Sequence, residues 1–556
     1  MRKLLTYIPL LLQFAATFLL LSVVCISSRE LPPGEMAKQW WWLGQTGSIY
    51  MVLMMLSLLF YRKKTAKTPD YACIVSWALI LLGGWEAIIG LRQIYGFAYS
   101  NHSLFSLTGT FFNPGPYSGY LALVFPLCLH EYYRLKTLSA TSLPAKIGHY
   151  IALVVLLLMV CVLPAGMSRS AWFAAGASAF FVAWQHNHWG KRLRLRWAKH
   201  KKQFVLCAAG LCICLFLAMA AVFMLKKDSA NGRLFMWRMS LNAIAEHPLA
   251  GHGATRFPVA YGNAQEAYFA RGQYAEWEEH VAGSPEYAFN EYLQIGIEYG
   301  IPVLVAGLAV VGLCLWQGIR KQRTGVCAAI LSLGIFSFSS YPLQLPVFII
   351  TLIVLLFACI ASDGTSGRIK IALFSLAIGA TGLYLHQTNN YNACKEWTRA
   401  RMLYNVGAYS SAKKEYALLY PALNHRAAFM FEYSRCLNKL EEYEASNRML
   451  QETSLLTCDP MVFNIIGKNC QMLGEYEEAE KYLFRSVNRL PGRIYPYYLL
   501  AKLYADPECF HLRKFEFAFR MVMEKEPKVQ STAIREMREE VRQLKEAVMT
   551  QAISHD

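Results

Sequence analysis

The chain has 556 residues, 55% of them hydrophobic and 14% aromatic, with only 17% charged. That balance excludes an ordinary soluble protein of this length. The formal charge of +18 sits in Lys/Arg clusters between apolar runs, which is how membrane proteins mark their cytoplasmic loops, and it gives no reason to expect a nucleic-acid partner.

Residues 1 to about 390 are apolar runs of roughly 17–23 residues, each long enough to cross a bilayer as a helix. The first, about Leu4 to Ile26, is too long for a signal-peptide core and lacks a small-residue cleavage site, so a retained helix is expected. Arg2-Lys3 places its start inside, and Trp40-Trp41-Trp42 fits an interfacial aromatic belt opening the second span. Spans follow at about 72–91, 117–133, 147–164, 168–190 and 204–225. After the long polar interval come about 288–316, 325–339, 346–361 and 371–387. Basic clusters at Arg62-Lys63-Lys64, Lys191 to Lys202, Arg320-Lys321 and Arg368 with Lys370 all fall on one side of this count of about eleven. The loop 92–116, broken by Asn113-Pro114-Gly115-Pro116, and the loop 226–287 then face outward, as does everything after 391.

Residues 391–556 change to charged, amphipathic sequence. Gly407-Ala408-Tyr409, Glu442-Tyr443-Glu444-Ala445 and Gly474-Glu475-Tyr476 recur at about 34 residues, the tetratricopeptide period. The fold class expected is therefore all-α: a polytopic membrane domain, 1–390, and a soluble tetratricopeptide-like solenoid, 391–556. The fifteen cysteines form no CxxC pair and read as small hydrophobes. For Cys394, Cys436, Cys458, Cys470 and Cys509 a disulfide stays open.

Ionisable residues at a membrane face are expensive, which makes them candidates for function. Arg169 stands where the fifth span turns into the sixth, Arg233 and Arg238 lie early in the long loop, and Arg256 follows Gly251-His252-Gly253. Outward arginines are not explained by topology and suit a diphosphate, whose oxygens a guanidinium binds bidentately. The acidic run Glu276-Trp277-Glu278-Glu279-His280 reads as a solvated helix, with no metal site expected.

The segments Gly109-Thr110-Phe111-Phe112-Asn113-Pro114-Gly115, Ser168-Arg169, Asn231-Gly232-Arg233, Glu246-His247-Pro248-Leu249-Ala250-Gly251-His252-Gly253, Asn290-Glu291-Tyr292-Leu293-Gln294 and Glu298-Tyr299-Gly300 resemble, in this order, the O-antigen ligase and polymerase superfamily. The resemblance spans most of residues 70–360. It implies a fold related to the C-type glycosyltransferases, an undecaprenyl-diphosphate-linked glycan as donor, inverting transfer, and no metal or other cofactor. It also implies that Arg169 and Arg233 hold the donor diphosphate, with Arg238, Arg256, Asn113, His252 and Asn290 as further substrate contacts. Where the family commonly has His, this chain has Phe289, which exchanges no proton. Glu291 is the nearest substitute base, ahead of Glu286, His280 and His252, unless donor activation alone suffices.

The function expected is glycan transfer to an acceptor hydroxyl at the periplasmic face of a bacterial inner membrane. A stacked-repeat surface suits an acceptor protein and Ser/Thr O-glycosylation. Ligation to lipid A–core and glycan polymerisation are the alternatives within the same chemistry. A lipid-linked sugar transporter is the alternative of another class; it would call for inverted repeats and mid-span charges.

Overall fold

The computed structural model describes residues 7–60, 70–139, 142–190, 201, 205, 227–362 and 364–555. Arg2-Lys3, the 62–67 link, nearly all of the 191–202 tract and the seventh expected span lie outside the described residues. Among those described, every regular element is helical and no strand occurs, as expected of an all-α chain.

Six described helices are long and apolar enough to cross a membrane: Ile8–Cys25, Ala37–Leu59, Tyr71–Ile94, Leu143–Val162, Glu291–Arg320 and Thr365–Asn405. Thr324–Ser337 and Pro346–Ile360 are shorter and equally apolar in character. The fourth and sixth expected spans form as the helices Pro114–Leu138 and Arg169–His186, but with less apolar sequence. The first of these carries Glu131, Tyr132, Tyr133 and Arg134 toward its end, and it buries much of its length against other helices.

The chain divides into two compact units. The first holds 1–215, 289–292 and 305–395. Its core centres on the rings of Phe111, Tyr120 and Phe348, with centroids 5.9–6.1 Å apart. The Ala37–Leu59 and Gly364–Thr388 helices approach through small residues: a Cβ on Gly47 would lie 3.0 Å from the Gly382 Cα. Close backbone approach through glycine is the usual way helices associate where lipid removes the hydrophobic driving force.

The second unit holds 216–288, 293–304 and 396–556. Its long-loop part forms the helices Lys227–Glu246, Phe257–Ala270 and Glu276–Val281. Its C-terminal part is a run of amphipathic helices from Tyr409–Leu423 to Thr532–His555. Side-chain pairs there recur at separations of 29–35 residues: Trp397 to Glu432, Lys413 to Glu442, Tyr420 to Glu452, Asn438 to Asn469, Tyr476 to Glu508 and Lys514 to Glu480. Contacts that repeat at one spacing are what stacked units of similar length produce. Cys394, Cys436, Cys458, Cys470 and Cys509 are all free thiols, which closes the disulfide question for them.

The helix after residue 290 is bent rather than continuous. Gly300 has φ +81 and ψ 168 inside Glu291–Arg320, followed by Pro302, so the backbone turns at Gly300-Ile301-Pro302.

Candidate active site

In the first unit, the 108–113 loop is tied to the Tyr71–Ile94 helix by two polar side chains. Glu86 accepts from the Thr110 amide at 3.1 Å and from the Thr110 hydroxyl at 2.9 Å. Gln93 Oε1 accepts from the amides of Thr108 at 2.9 Å and Gly109 at 2.7 Å, while its Nε2 donates to the Gly109 carbonyl at 3.0 Å. Gly109 has φ +56, and a Cβ there would lie 2.3 Å from the Tyr117 ring and 2.6 Å from Glu86 Oε2. Only glycine accommodates that conformation and that closeness together. Glu86 and Gln93 belong to none of the motifs legible in the sequence. The signal was present: a carboxylate in mid-span, fully buried, is expensive unless it holds something.

The same unit brings together Asn113, Phe289, Glu291 and the turn 341–344. Asn113 Nδ2 donates to the Tyr341 hydroxyl at 3.0 Å, and the Phe289 ring meets that of Tyr341 edge-on at 5.2 Å. Glu291 is 1% exposed; its Oε1 accepts from the Leu343 amide at 2.6 Å and its Oε2 from Gln344 Nε2 at 3.0 Å. Asn290, also buried, accepts from the Tyr292 amide at 3.0 Å and so closes the start of the Glu291–Arg320 helix. Arg169 is exposed and is the first residue of the Arg169–His186 helix. The backbone just before it is unusual, with Met167 at φ +48. Phe289 (φ +47) and Thr255 (φ +60) likewise precede candidate residues. Non-glycine residues held in this region mark places where surrounding structure overrides local preference, and such places concentrate at functional sites.

The second unit holds Arg233, Arg238, His252 and Arg256. Arg233 is half-buried on the Lys227–Glu246 helix. Five residues on, Arg238 pairs with Glu278 Oε1 at 2.8 Å and lies over the Tyr268 ring, 5.0 Å from its centroid. Glu278 Oε2 accepts from the Tyr268 hydroxyl at 2.8 Å and from the Ala275 amide at 2.9 Å. Burial, then the bond to Glu278, raises the Tyr268 phenol above its ordinary pKa. The acidic run is thus a helix as expected, but Glu278 is buried and paired rather than solvated, because Arg238 from another helix reaches it. Arg256 donates to the Leu455 carbonyl of the C-terminal helices.

The 246–253 motif works mainly through its backbone. The amides of His252 and Gly253 donate to the carbonyls of Ile297 and Glu298 at 2.8 and 2.9 Å, and the Ile301 amide donates to Pro248 at 2.9 Å. His252 Nε2 donates to the Ala243 carbonyl at 2.8 Å, which fixes its proton on that nitrogen. The motif therefore clasps the bend at Gly300. A Cβ at Gly300 would fall 2.2 Å from the Leu249 carbonyl. Gly300→Ala is accordingly expected to cost about 2–4 kcal/mol, from strain at positive φ plus overlap, read as a lower thermal midpoint in detergent together with faster proteolysis of the loop.

No cluster of three or more His, Cys, Asp or Glu suited to a metal occurs among the described residues. Residues 154–308 match the family model described as O-antigen ligase. That interval encloses Arg169, Arg233, the 246–253 motif and Asn290-Glu291, and it leaves out the 108–113 loop. No curated protein matches the chain. The match supports a membrane glycosyltransferase of the O-antigen ligase and polymerase type. Over residues 154–308, then, this multi-helix membrane chain is similar to the O-antigen ligases.

Proposed function

We propose that the chain transfers a glycan from an undecaprenyl-diphosphate-type carrier to a Ser/Thr hydroxyl of an acceptor protein at the periplasmic face of the inner membrane. The observation that carries the reading is the family match, which encloses both Arg169 and Arg233. In this reaction the acceptor oxygen forms a bond to the anomeric carbon as the carbon–oxygen bond to the diphosphate breaks, and the hydroxyl proton passes to the departing diphosphate or to water. The departing diphosphate gains negative charge, and fixed guanidinium groups in a dry site stabilise that gain. Attack from the opposite side inverts the anomeric centre. Arg169 and Arg233 are assigned to the diphosphate. Arg238, paired with Glu278, and Arg256, bonded to the Leu455 carbonyl, are assigned to holding the loop.

Phe289 stands where the related enzymes commonly place histidine, and each Glu291 oxygen accepts a bond from the 343–344 turn. We therefore assign Glu291 and Asn113 to positioning that turn, and assign the rate to departure of the activated donor rather than to a strong base. About eleven spans, a periplasmic repeat domain and a tetratricopeptide-like stack complete the proposal; the recurring 29–35-residue contacts support the last of these.

The repeats favour a protein acceptor because they form one compact unit with the loop bearing Arg233, so a polypeptide held there rides on the same body. Ligation to lipid A–core is favoured by the description of the family matched. Purified protein given a lipid-linked oligosaccharide and either a Ser/Thr peptide or lipid A–core separates the two. Transfer to the peptide is expected, and exclusive transfer to lipid A–core would replace protein glycosylation with ligation. Transfer is also expected to persist in chelator, and its loss there, restored by a divalent cation, would contradict the metal-free mechanism.

A further inference from the structure

The long loop carries a small apolar core that it does not close alone. The cluster holds Phe235, Met239, Phe257, Tyr261, Phe269 and smaller neighbours, and is completed by Ile297 and by Leu490 from the C-terminal helices. A segment of this size rarely stays folded on such a core without outside support. The support is visible at Arg489, which is 1% exposed at the end of the Tyr476–Arg489 helix. Its Nε donates to Glu266 at 3.0 Å, its Nη2 to Asn263 at 3.0 Å and its Nη1 to the Thr457 carbonyl at 3.3 Å. Its own carbonyl accepts from Gln265 at 2.5 Å. Arg485 takes the other Glu266 oxygen at 2.9 Å. Gly262 lets the Phe257–Ala270 helix come so close that a Cβ there would lie 2.6 Å from the Cys458 Cβ. Burial pushes the Arg489 pKa down, and Glu266 pulls it back, so the loop carboxylate is what makes the buried cation tolerable. Lys525 pairs with Glu279, and Lys528 donates to the Ala282 carbonyl at 2.6 Å, at the far end of the same contact.

We propose that Arg489 is a positioning residue for the donor site: through Glu266 and Asn263 the repeat domain sets the conformation of the loop that presents Arg233. The Phe257–Ala270 helix is held by Arg489 on one side and packs on the Arg233 helix on the other, through Phe235 and Met239. The repeats therefore act on donor binding, whatever acceptor they also hold. This rests on the assignment of Arg233 to the donor diphosphate.

The test uses full-length protein in detergent, comparing wild type with Arg489→Ala, Arg489→Lys, Glu266→Gln and Arg233→Ala. The readouts are equilibrium binding of a lipid-linked oligosaccharide, KM for donor and acceptor separately, and limited proteolysis of the loop. Arg489→Ala is expected to weaken donor binding at least 10-fold and expose the loop to protease while acceptor KM stays within 2-fold. Arg489→Lys, keeping the charge but losing the fork, is expected to fall between. If Arg489→Ala fails to fold, Glu266→Gln decides, with the same split expected at smaller size. Wild-type donor binding with a protected loop, or a rise in acceptor KM alone, would overturn the inference. Loss of donor binding in Arg233→Ala but not in either interface variant sinks this inference and spares the donor assignment. Unchanged binding in Arg233→Ala sinks the assignment itself.

Discussion

Gly109→Ala is expected to be among the most damaging single-methyl changes in this chain. The residue sits at φ +56, where a Cβ costs about 1–2 kcal/mol on its own. The added atom would also fall 2.3 Å from the Tyr117 ring and 2.6 Å from Glu86, inside a region with no room to give. Tyr117 is itself fixed by its hydroxyl, which donates to the Glu86 carbonyl at 2.9 Å. Overpacking of this kind costs a further 1–3 kcal/mol or so. The backbone would have to lift away from Gln93 and Glu86, releasing the loop that leads to Asn113. A fall in the thermal midpoint of the detergent-purified protein is expected, with transfer lost in step. Tyr117→Ala should partly rescue Gly109→Ala by opening space, so the pair should be strongly non-additive. Additive effects would mean that the clash is not the cause.

The second large effect concerns Glu291, and it separates two roles. As a positioning residue it accepts two bonds from the 343–344 turn. Glu291→Gln places an amide NH2 against a donor and loses charge-assisted bonds worth about 1.5–3 kcal/mol each at most. Thermal stability should therefore fall together with activity, and restoring the fold by lower temperature should restore much of the rate. A general base behaves otherwise: Glu291→Gln would keep its melting temperature and lose transfer by about 10²–10⁴-fold. That outcome would return Glu291 to the reacting centre.

The apolar spans were legible because length and hydropathy alone decide them. The expected 72–91, 325–339 and 346–361 correspond closely to Tyr71–Ile94, Thr324–Ser337 and Pro346–Ile360. The break at Gly300 was legible because Gly-Ile-Pro cannot continue a helix. The purpose of that break was not, since the partner backbone at Pro248 and Gly253 lies some 45–53 residues earlier in sequence. For the same reason the contacts of Glu291 were not legible. Its partners, Leu343 and Gln344, are 52 and 53 residues away and belong to an unremarkable turn. Glu278 illustrates the converse error: it read as part of a solvated run, yet it is buried, with the more exposed Arg238 paired to it. Glu86 could have been found by its sign alone, as an acid in mid-span. Arg489 could not, because the end of an amphipathic helix is an ordinary place for arginine.

Arg169 and Arg233 are proposed to hold and discharge a lipid-linked diphosphate donor. The most direct measurement is single-turnover transfer from a labelled lipid-linked oligosaccharide by purified wild type, Arg169→Ala and Arg233→Ala, each checked for an unchanged melting temperature. Loss of one such electrostatic contact is worth about 10²–10³ in rate. The account predicts glycan transfer with release of the carrier diphosphate by wild type, and a fall of that size in each variant. Wild-type rates in both variants, or no transfer by wild type to peptide, lipid A–core or growing glycan, would contradict it.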